Sequence, residues 1–174
     1  NFILRHGRTI MKLYKKKLRC AFIGCGNIAP FHADVIKHLG HSISVVVGRK
    51  NSTRLEIFAR KYGVDRAFYG FDNFLKDFRT VRQDIDFFMV CTSWDETEGV
   101  LKKIIPLGLP VISEKPAALS TRSARAIKHL KNSRNLFVGY NRRFYDFMPF
   151  VKSYFKKNKA LCIDVLYVFL SFLS

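Results

Sequence analysis

The sequence predicts an α/β fold: a Rossmann-type, doubly wound parallel sheet, followed by only the beginning of a second α/β domain. Three observations carry this prediction. From Leu18 onward, short β-rich runs alternate with stretches of helical periodicity, an order that builds parallel strands joined by right-handed crossovers. The first strand ends at a glycine-rich turn that leads directly into a helix. The chain has 174 residues, 48% hydrophobic and 25% charged, which is enough for one domain and unlike a disordered protein.

The first strand is predicted over residues 18–23, where a β-rich run precedes the glycines. A helix is predicted to follow from about Pro30 and to end at Gly40. The apolar residues that predict this helix by their spacing are Phe31, Val35, Ile36 and Leu39.

The second strand is predicted over residues 43–47, a β-branched run typical of a strand buried on both faces. Ser52 or Thr53 can cap the next helix, and Gly63 is expected to end it in a left-handed conformation. The residues expected to face the core are Leu55, Phe58 and Ala59.

A short strand over 67–69 and a short helix capped by Asp72 are predicted next. Residues 87–91 are the strongest indication of a buried strand in the chain. Asp95 and Glu98 then have the spacing of a capping box. The apolar stripe that follows them is Val100, Leu101, Ile104 and Ile105.

Pro106 and Gly108 are expected to end that helix. The fifth strand is predicted over 111–112, a helix over 120–132 and the sixth strand over 136–138. Six strands with intervening helices complete a doubly wound sheet.

The composition changes after Gly139, where Phe, Tyr, Lys and Arg become dense and one more β-like run follows over 161–169. An apolar strand of this kind needs a sheet to join. We therefore expect that the natural protein continues past Ser174. Because Met11 and the residues after it read like a natural start, residues 1–10 are expected to be extraneous. Three segments are predicted: a basic N-terminal extension (1–17), a Rossmann domain (18–138), and a linker with the truncated start of a substrate domain (139–174).

The cysteines and the hydropathy pattern exclude several classes of protein. Four scattered cysteines form neither a disulfide scaffold nor a CxxC pair, and no apolar run reaches the roughly 18 residues of a membrane span. The basic N-terminus lacks the pattern of a signal peptide. A cytoplasmic protein without a membrane partner is expected, and the histidines show no metal-ligand spacing, so no metal site is predicted.

The formal net charge is +18, and most of the excess lies at the two ends of the chain. Such a balance attracts phosphates of any kind, from a small dinucleotide to nucleic acid. A basic nucleic-acid-binding protein is therefore one alternative. No recognition motif supports it, and no specific nucleic-acid partner is expected.

The glycine turn is the first candidate site, with the pattern GxGxxA between a strand and a helix. Gly24 allows the tight turn, Gly26 allows the backbone to approach a pyrophosphate, and Ala29 allows close helix–strand packing. The helix N-terminus adds N–H groups and positive dipole. A dinucleotide-binding turn is favoured over a plain structural turn or a methyltransferase-type loop, with Asn27 and Ile28 also at the cofactor.

The end of the second strand indicates the type of cofactor. An NAD site usually places an acid there for the ribose hydroxyls, whereas this sequence has Arg49 and Lys50 followed by hydroxyl residues. A forked arginine suits the 2′-phosphate of NADP. NADP is thus favoured over NAD, and a solvated basic turn is the alternative.

Polar residues also follow the fourth strand at the edge where open α/β sheets bind ligands. Thr92 and Ser93 could contact cofactor phosphate or ribose, and Trp94 could cover a ring. Alternatively, Ser93 or Asp95 caps the next helix and Trp94 packs.

The fifth and sixth strands are followed by charged motifs at the same edge. Lys115 can donate to a substrate hydroxyl or to the nicotinamide ribose, and Glu114 can orient it; a surface ion pair is the alternative. Asn141 and Arg142 could bind an anionic or polyhydroxylated substrate, or belong to a basic linker. His32, on the first helix, is expected to pack or to face solvent.

Together, GCGNIA after the first strand, EKP after the fifth and GYNRRF after the sixth resemble the Gfo/Idh/MocA family, which includes glucose–fructose oxidoreductase and inositol dehydrogenase. The resemblance covers about residues 18–146. It implies a nucleotide-binding Rossmann domain, a second α/β domain that carries substrate specificity and oligomer contacts, and hydride transfer between NAD(P) and a hydroxyl carbon of a sugar, cyclitol or related compound. A homo-oligomer is accordingly a possible partner state of the full-length protein.

The resemblance also assigns individual residues. It implies Gly24, Gly26, Asn27 and Ile28 along the pyrophosphate, Arg49 at the adenosine ribose, Lys115 near the reacting hydroxyl and the nicotinamide, and Asn141 and Arg142 near the domain junction. The family's general acid/base, typically an Asp and a His of the second domain, has no counterpart in this sequence. A non-catalytic dinucleotide-binding or regulatory module is therefore the other alternative, and Lys115 is the one catalytic candidate.

Overall fold

The computed structural model describes residues 16–157, with the backbone alone at positions 142, 143, 156 and 157. Its residues form two compact units, one up to Gly139 and one from Tyr140. The first unit contains six parallel strands in the order β3-β2-β1-β4-β5-β6, which confirms the predicted Rossmann sheet. The strands are β1 (Arg19–Ile23), β2 (Ser42–Gly48), β3 (Arg66–Tyr69), β4 (Phe87–Val90), β5 (Val111–Ser113) and β6 (Leu136–Val138).

Five helices connect these strands and cover both faces of the sheet. They are α1 (Ala29–His38), α2 (Thr53–Tyr62), α3 (Phe71–Val81), α4 (Trp94–Ile104) and α5 (Thr121–Lys128). The second unit contains a short 3-10 turn, Asn141–Phe144, and the helix α6, Met148–Lys157. No helix of the described chain is long and apolar enough to cross a membrane. The predicted strand over 161–169 and the extension up to residue 15 lie outside the described residues.

The core consists of two layers, one on each face of the sheet. On one face, Phe22 and Met89 pack against α1 and α2. On the other face, Ile23 and Phe88 pack against α3, α4 and α5. The central strands β1 and β4 are therefore apolar at nearly every position, as strands covered on both faces must be.

The buried face of α1 differs from the apolar spacing that predicted the helix. Ala29, Ala33 and Ile36 are buried, whereas Phe31 is 68% and Leu39 64% exposed. The small side chains of Ala29 and Ala33 let the first turns of the helix lie close to the sheet. The periodicity therefore predicted the helix correctly, but of its four apolar residues only Ile36 lies on the buried face.

Two predicted caps are also different in the structure. Helix α4 begins two residues earlier than the proposed Asp95–Glu98 box requires, because Ser93 and not Asp95 is its N-cap residue. Glu98 instead pairs with Lys102 at 2.7 Å, one turn along the helix. Asp72 does not cap α3, whose N-cap is Gly70. The cap at Ser52 and the stop at Gly63 are as predicted.

A charged cluster fastens β1 to the segment before β4, at the edge opposite the glycine turn. Asp86 Oδ2 accepts hydrogen bonds from the Arg19 backbone N–H at 2.8 Å and from Arg19 Nε at 3.1 Å. The hydrogen bond from the Arg19 side chain, above all, lowers the pKa of Asp86 below its ordinary value. A carboxylate of this kind stabilises the fold only while it is ionised.

Replacing Asp86 by asparagine should lower the free energy of unfolding at pH 7 by about 1–2 kcal/mol, because the charge-assisted bonds to Arg19 weaken. The native pKa of Asp86 lies below that of the unfolded chain, about 3.9. Its contribution is therefore complete above that pH and is lost as the pH falls through the lower, native value. Thermal denaturation between pH 7 and pH 3 should show a smaller acid-induced fall for D86N than for the wild type. The same change at the exposed Asp77 is the control, and an equal effect there would refute the assignment.

Candidate functional site

A cleft of about 1100 Å³ opens at the carboxyl ends of β1, β2 and β4. Five segments line it: the glycine turn, the segment 47–54, the turn 70–72, the segment 91–93 and one side of α4 from Asp95 to Lys103. The lining includes most of the predicted cofactor residues, namely Gly24, Gly26, Asn27, Ile28, Arg49, Lys50, Thr92 and Ser93. The parallel sheet brings them together because its strands all end at this edge.

The glycine turn combines a position that has no room for a side chain with one that faces open space. Gly24 has a φ of +96°, and a Cβ there would lie 2.6 Å from the carbonyl oxygen of Cys91. At Gly26 a Cβ would meet nothing within 4 Å. The backbone at Gly26 therefore faces an open approach for a ligand.

Helix α1 begins directly behind this turn, at Ala29. Its N-cap residue, Ile28, makes no side-chain capping hydrogen bond, and no acidic residue lies in the first turn. The positive end of the helix dipole is thus not neutralised by a side chain. An anion at the glycine turn would benefit from it.

Arg49 lines the cleft and contacts the N-terminal end of α4. Its Nε donates to Glu96 Oε1 at 3.2 Å, and its Nη2 donates to Ser93 Oγ at 3.2 Å. Ser93 in turn donates to Glu96 Oε2 at 3.0 Å. Ser93 is thus the N-cap residue of α4 by position, but its side chain bonds to Arg49 and Glu96 and makes no capping hydrogen bond to the helix. Sequence spacing did not indicate Glu96 as the partner of Arg49, because the two lie on different crossovers.

A second pair, Lys103 and Asp72, lines the same cleft and was not predicted from the sequence. Lys103 Nζ donates to Asp72 Oδ1 at 2.9 Å, and this contact lowers the pKa of Asp72. Lys103 also lies 5.6 Å above the ring of Phe71. No local motif indicates these residues, since they meet only because α3 and α4 are neighbours on one face of the sheet.

Thr92 is held in place by a buried neighbour on α4. Its Oγ1 lies 3.0 Å from Oγ1 of Thr97, which itself donates to the Ser93 carbonyl at 2.9 Å. Because Thr97 uses its single proton on that carbonyl, Thr92 is the donor to Thr97. The Thr92 lone pairs remain at the cleft. Trp94 is 64% exposed and lies outside the cleft lining, so the alternative in which it packs is wrong, while its contact with a cofactor ring stays a prediction.

Glu114 and Lys115 follow β5 at the same edge of the sheet but outside the cleft lining. Glu114 is held by its backbone, whose N–H donates to the Val90 carbonyl at 2.9 Å. Its Oε1 lies 2.8 Å from Nε2 of His32 on α1. His32 is therefore a partner of the EKP motif, which the sequence analysis did not anticipate. The one indication in the sequence was that His32 lies one turn into the helix that follows the glycine turn, close to the edge of the sheet where the EKP motif is predicted.

The remaining predicted site residues lie in the second unit. Asn141 is exposed and begins the 3-10 turn, and Arg142 follows it. The side chain of Arg142 lies outside what the structure describes. The predicted substrate contacts of both residues stay predictions.

The described cysteines are not poised for thiolate chemistry. Burial, and then the charge of Glu114, raise the pKa of Cys91 to about 12. Burial also raises the pKa of Cys25 within the glycine turn. Within residues 16–157, no group of three His, Cys, Asp or Glu side chains is arranged to hold a metal ion.

A family model described as an oxidoreductase family with an NAD-binding Rossmann fold, GFO_IDH_MocA, matches residues 18–142. Among curated proteins, a myo-inositol 2-dehydrogenase of Thermotoga maritima is 27% identical over 129 residues, which are 73% of this chain and 37% of the relative. The family model covers GCGNIA and EKP in full and the first four residues of GYNRRF.

Solved structures show the same fold at lower identity. The WlbA dehydrogenase of Thermus thermophilus, in complex with NAD and UDP-GlcNAcA, matches with a TM-score of 0.69 and 19% identity over 82% of this chain and 48% of that chain. A myo-inositol dehydrogenase of Corynebacterium glutamicum matches with a TM-score of 0.64 and 23% identity over 82% of this chain and 41% of that chain. The chain thus spans less than half the length of each of these relatives.

Proposed function

The chain belongs to the Gfo/Idh/MocA oxidoreductase family as an NAD-binding Rossmann domain, and on this premise we propose that its cleft binds a nicotinamide dinucleotide with NADP preferred. The observation that carries the proposal is the glycine turn. Gly24 packs against the Cys91 carbonyl, while Gly26 leaves an open approach in front of the helix N-terminus. The residues present therefore fit a pyrophosphate at this position.

The rest of the dinucleotide would extend from the turn in two directions. The pyrophosphate would lie along Gly24, Gly26, Asn27 and Ile28. The adenosine would lie at the end of β2, beside Arg49 and Lys50. Thr92, Ser93 and Trp94 would follow the cofactor along the end of β4. The nicotinamide would lie toward the end of β5, where Glu114 orients Lys115.

NADP preference is supported by the charges at the end of β2. Within residues 16–157, the ion pairs leave Lys50 without a carboxylate partner, and Arg49 has a fork that can grip phosphate. Glu96 is the competitor, because it already pairs with Arg49. A 2′-phosphate would therefore compete with Glu96 for Nε and Nη2 of the guanidinium.

Replacing Arg49 by alanine should weaken NADPH binding about tenfold and leave NADH binding within about twofold, because one charge-assisted phosphate contact is lost. Fluorescence titration of the purified 174-residue chain with each nucleotide measures both affinities. The E96Q variant is the matched control: it removes the competitor for Arg49 and should tighten NADPH binding. Tighter binding of NADH than of NADPH by the wild type would refute the phosphate-site argument while keeping the fold.

For the whole protein we propose hydride transfer at a hydroxyl carbon of a sugar, cyclitol or related polyhydroxylated substrate. A dinucleotide held along the glycine turn would supply the hydride acceptor or donor for that carbon. In the oxidative direction the hydroxyl carbon would give up a hydride and its oxygen would lose a proton to a base, which leaves a carbonyl. Lys115 would donate a hydrogen bond to the reacting oxygen and stabilise the charge that develops there.

The other groups of the reaction would come from outside the Rossmann unit. Asn141 and Arg142 would contact the substrate, and the general acid/base would come from a second domain of the kind that the family resemblance implies. Function in the cytoplasm, with a homo-oligomer formed by the full-length protein, completes the proposal. Dinucleotide binding without turnover by the 174-residue chain is the expected first result.

A further inference from the structure

One contact ties the helix behind the glycine turn to the motif that carries Lys115. His32 lies in α1, three residues after its first residue, Ala29. Its Nε2 lies 2.8 Å from Oε1 of Glu114 at the end of β5. Both side chains are mostly shielded from solvent, with 33% of His32 and 22% of Glu114 exposed. An ionised carboxylate has no proton to give, so the histidine Nε2 is the donor.

The two oxygens of Glu114 do different things. Oε1 accepts from His32, and Oε2 accepts from the backbone N–H of Lys115 at 3.2 Å. The main chain around it is also fixed, since Ser113 Oγ donates to the Glu114 carbonyl at 2.9 Å and Glu114 N–H donates to Val90. The carboxylate therefore bridges α1 and the backbone from which the Lys115 side chain starts.

We propose that His32 is a positioning residue for Lys115, acting through Glu114 to hold the nicotinamide side of the site in a set relation to the glycine turn. This inference rests on the proposed function. Helix α1 contributes to both parts of the proposed site. Its N-terminus would face the pyrophosphate, and His32 near its second turn contacts Glu114. Lys115 is itself exposed, so the placement of its long side chain depends on the backbone at the motif. Fixing that backbone lowers the entropy that Lys115 loses when it meets the nicotinamide ribose or a substrate hydroxyl.

The alternative is an ordinary surface contact that only fastens α1 to the sheet. The two roles predict different effects on NADH and on ADP, which share the adenosine and its two phosphates. A contact that only stabilises the fold affects both ligands equally. A device that positions Lys115 affects NADH, which has the nicotinamide and its ribose, and spares ADP, which has neither.

The experiment compares His32→Leu with His32→Gln in the 174-residue chain. Glutamine places an amide N–H near the position of the histidine Nε2, whereas leucine has no donor. H32L should weaken NADH binding about tenfold and leave ADP binding within about twofold. H32Q should restore NADH affinity to within about threefold of the wild type. H38L is the matched control, because His38 is exposed in the last turn of the same helix, and it should bind both ligands like the wild type.

A second readout needs no cofactor. The backbone amide of Lys115 should change its NMR chemical shift and exchange faster with solvent in H32L, and return toward the wild-type values in H32Q. E114Q keeps the histidine but weakens the acceptor, and adding H32L to it should cause little further loss, because both changes break one chain of contacts.

Each outcome is decisive. Equal weakening of NADH and ADP by H32L, or NADH affinity unchanged in H32L and E114Q, overturns the positioning role while the proposed function stands. If the folded wild type binds neither ligand, the proposed function fails, and a shifted Lys115 amide in H32L then reports only a structural contact.

Discussion

Replacing Gly24 by alanine is expected to destabilise the domain by roughly 3 kcal/mol or more, a large part of the 5–15 kcal/mol that holds a typical domain folded. Two costs add at this position. Alanine is strained at a φ of +96°. Its Cβ would also lie 2.6 Å from the Cys91 carbonyl oxygen and 2.7 Å from the carbonyl carbon. These are backbone atoms of the segment that follows β4, so they cannot move aside as a flexible side chain would.

Chemical denaturation of the full chain measures this loss, and Gly40→Ala is its matched control. Gly40 has a similar φ of +83°, but a Cβ there would meet nothing within 4 Å. G40A therefore carries the backbone strain without the clash and should cost about 1–2 kcal/mol. If G24A and G40A destabilise the chain equally, the close approach between the glycine turn and Cys91 does not exist in solution.

Replacing Gly26 by alanine should have the opposite pattern: a fold as stable as the wild type, and dinucleotide binding weakened about 100-fold, or roughly 2.7 kcal/mol. The added Cβ enters open space in the folded chain, so the protein has no atom to clash with. It occupies the approach through which a pyrophosphate would reach the turn.

Titration of G26A with NADPH and with ADP-ribose tests this prediction alongside its denaturation curve. Both ligands contain the pyrophosphate, so both should lose affinity to a similar degree. G40A lies outside the cleft lining and should bind like the wild type at temperatures where it is folded. Undiminished binding by folded G26A would show that the ligand does not approach the turn at this residue, and would contradict the proposed placement of the pyrophosphate.

The two glycines show how far sequence reasoning reaches at the site. The GxGxxA pattern predicts a cofactor turn, and it assigns the tight turn to Gly24 and the close approach to Gly26 from the motif alone. The polar residues after β2 and β4 were likewise found from their position at strand ends, because parallel strands must end at one edge. The pattern could not predict which other side chains each of these residues contacts.

Contacts across different crossovers are the clearest case. Arg49 was predicted as a phosphate ligand, yet in the structure it pairs with Glu96, 47 residues later in the chain. His32 was expected to pack or to face solvent, yet it pairs with Glu114, 82 residues later. No spacing rule relates such residues, since their separation depends on loop lengths rather than on helical or strand periodicity.

The sequence by itself determined the order of strands and helices, the position of the glycine turn and the edge of the sheet where ligands bind. These follow from local periodicity, turn residues and the right-handed crossover, which act over a few residues at a time. Only the tertiary structure decided that α1 buries Ala29 and Ala33 rather than Phe31, that Lys103 reaches Asp72, and that His32 holds Glu114. Those outcomes depend on the distances between packed elements, because close packing selects which side chains fit once the elements are brought together.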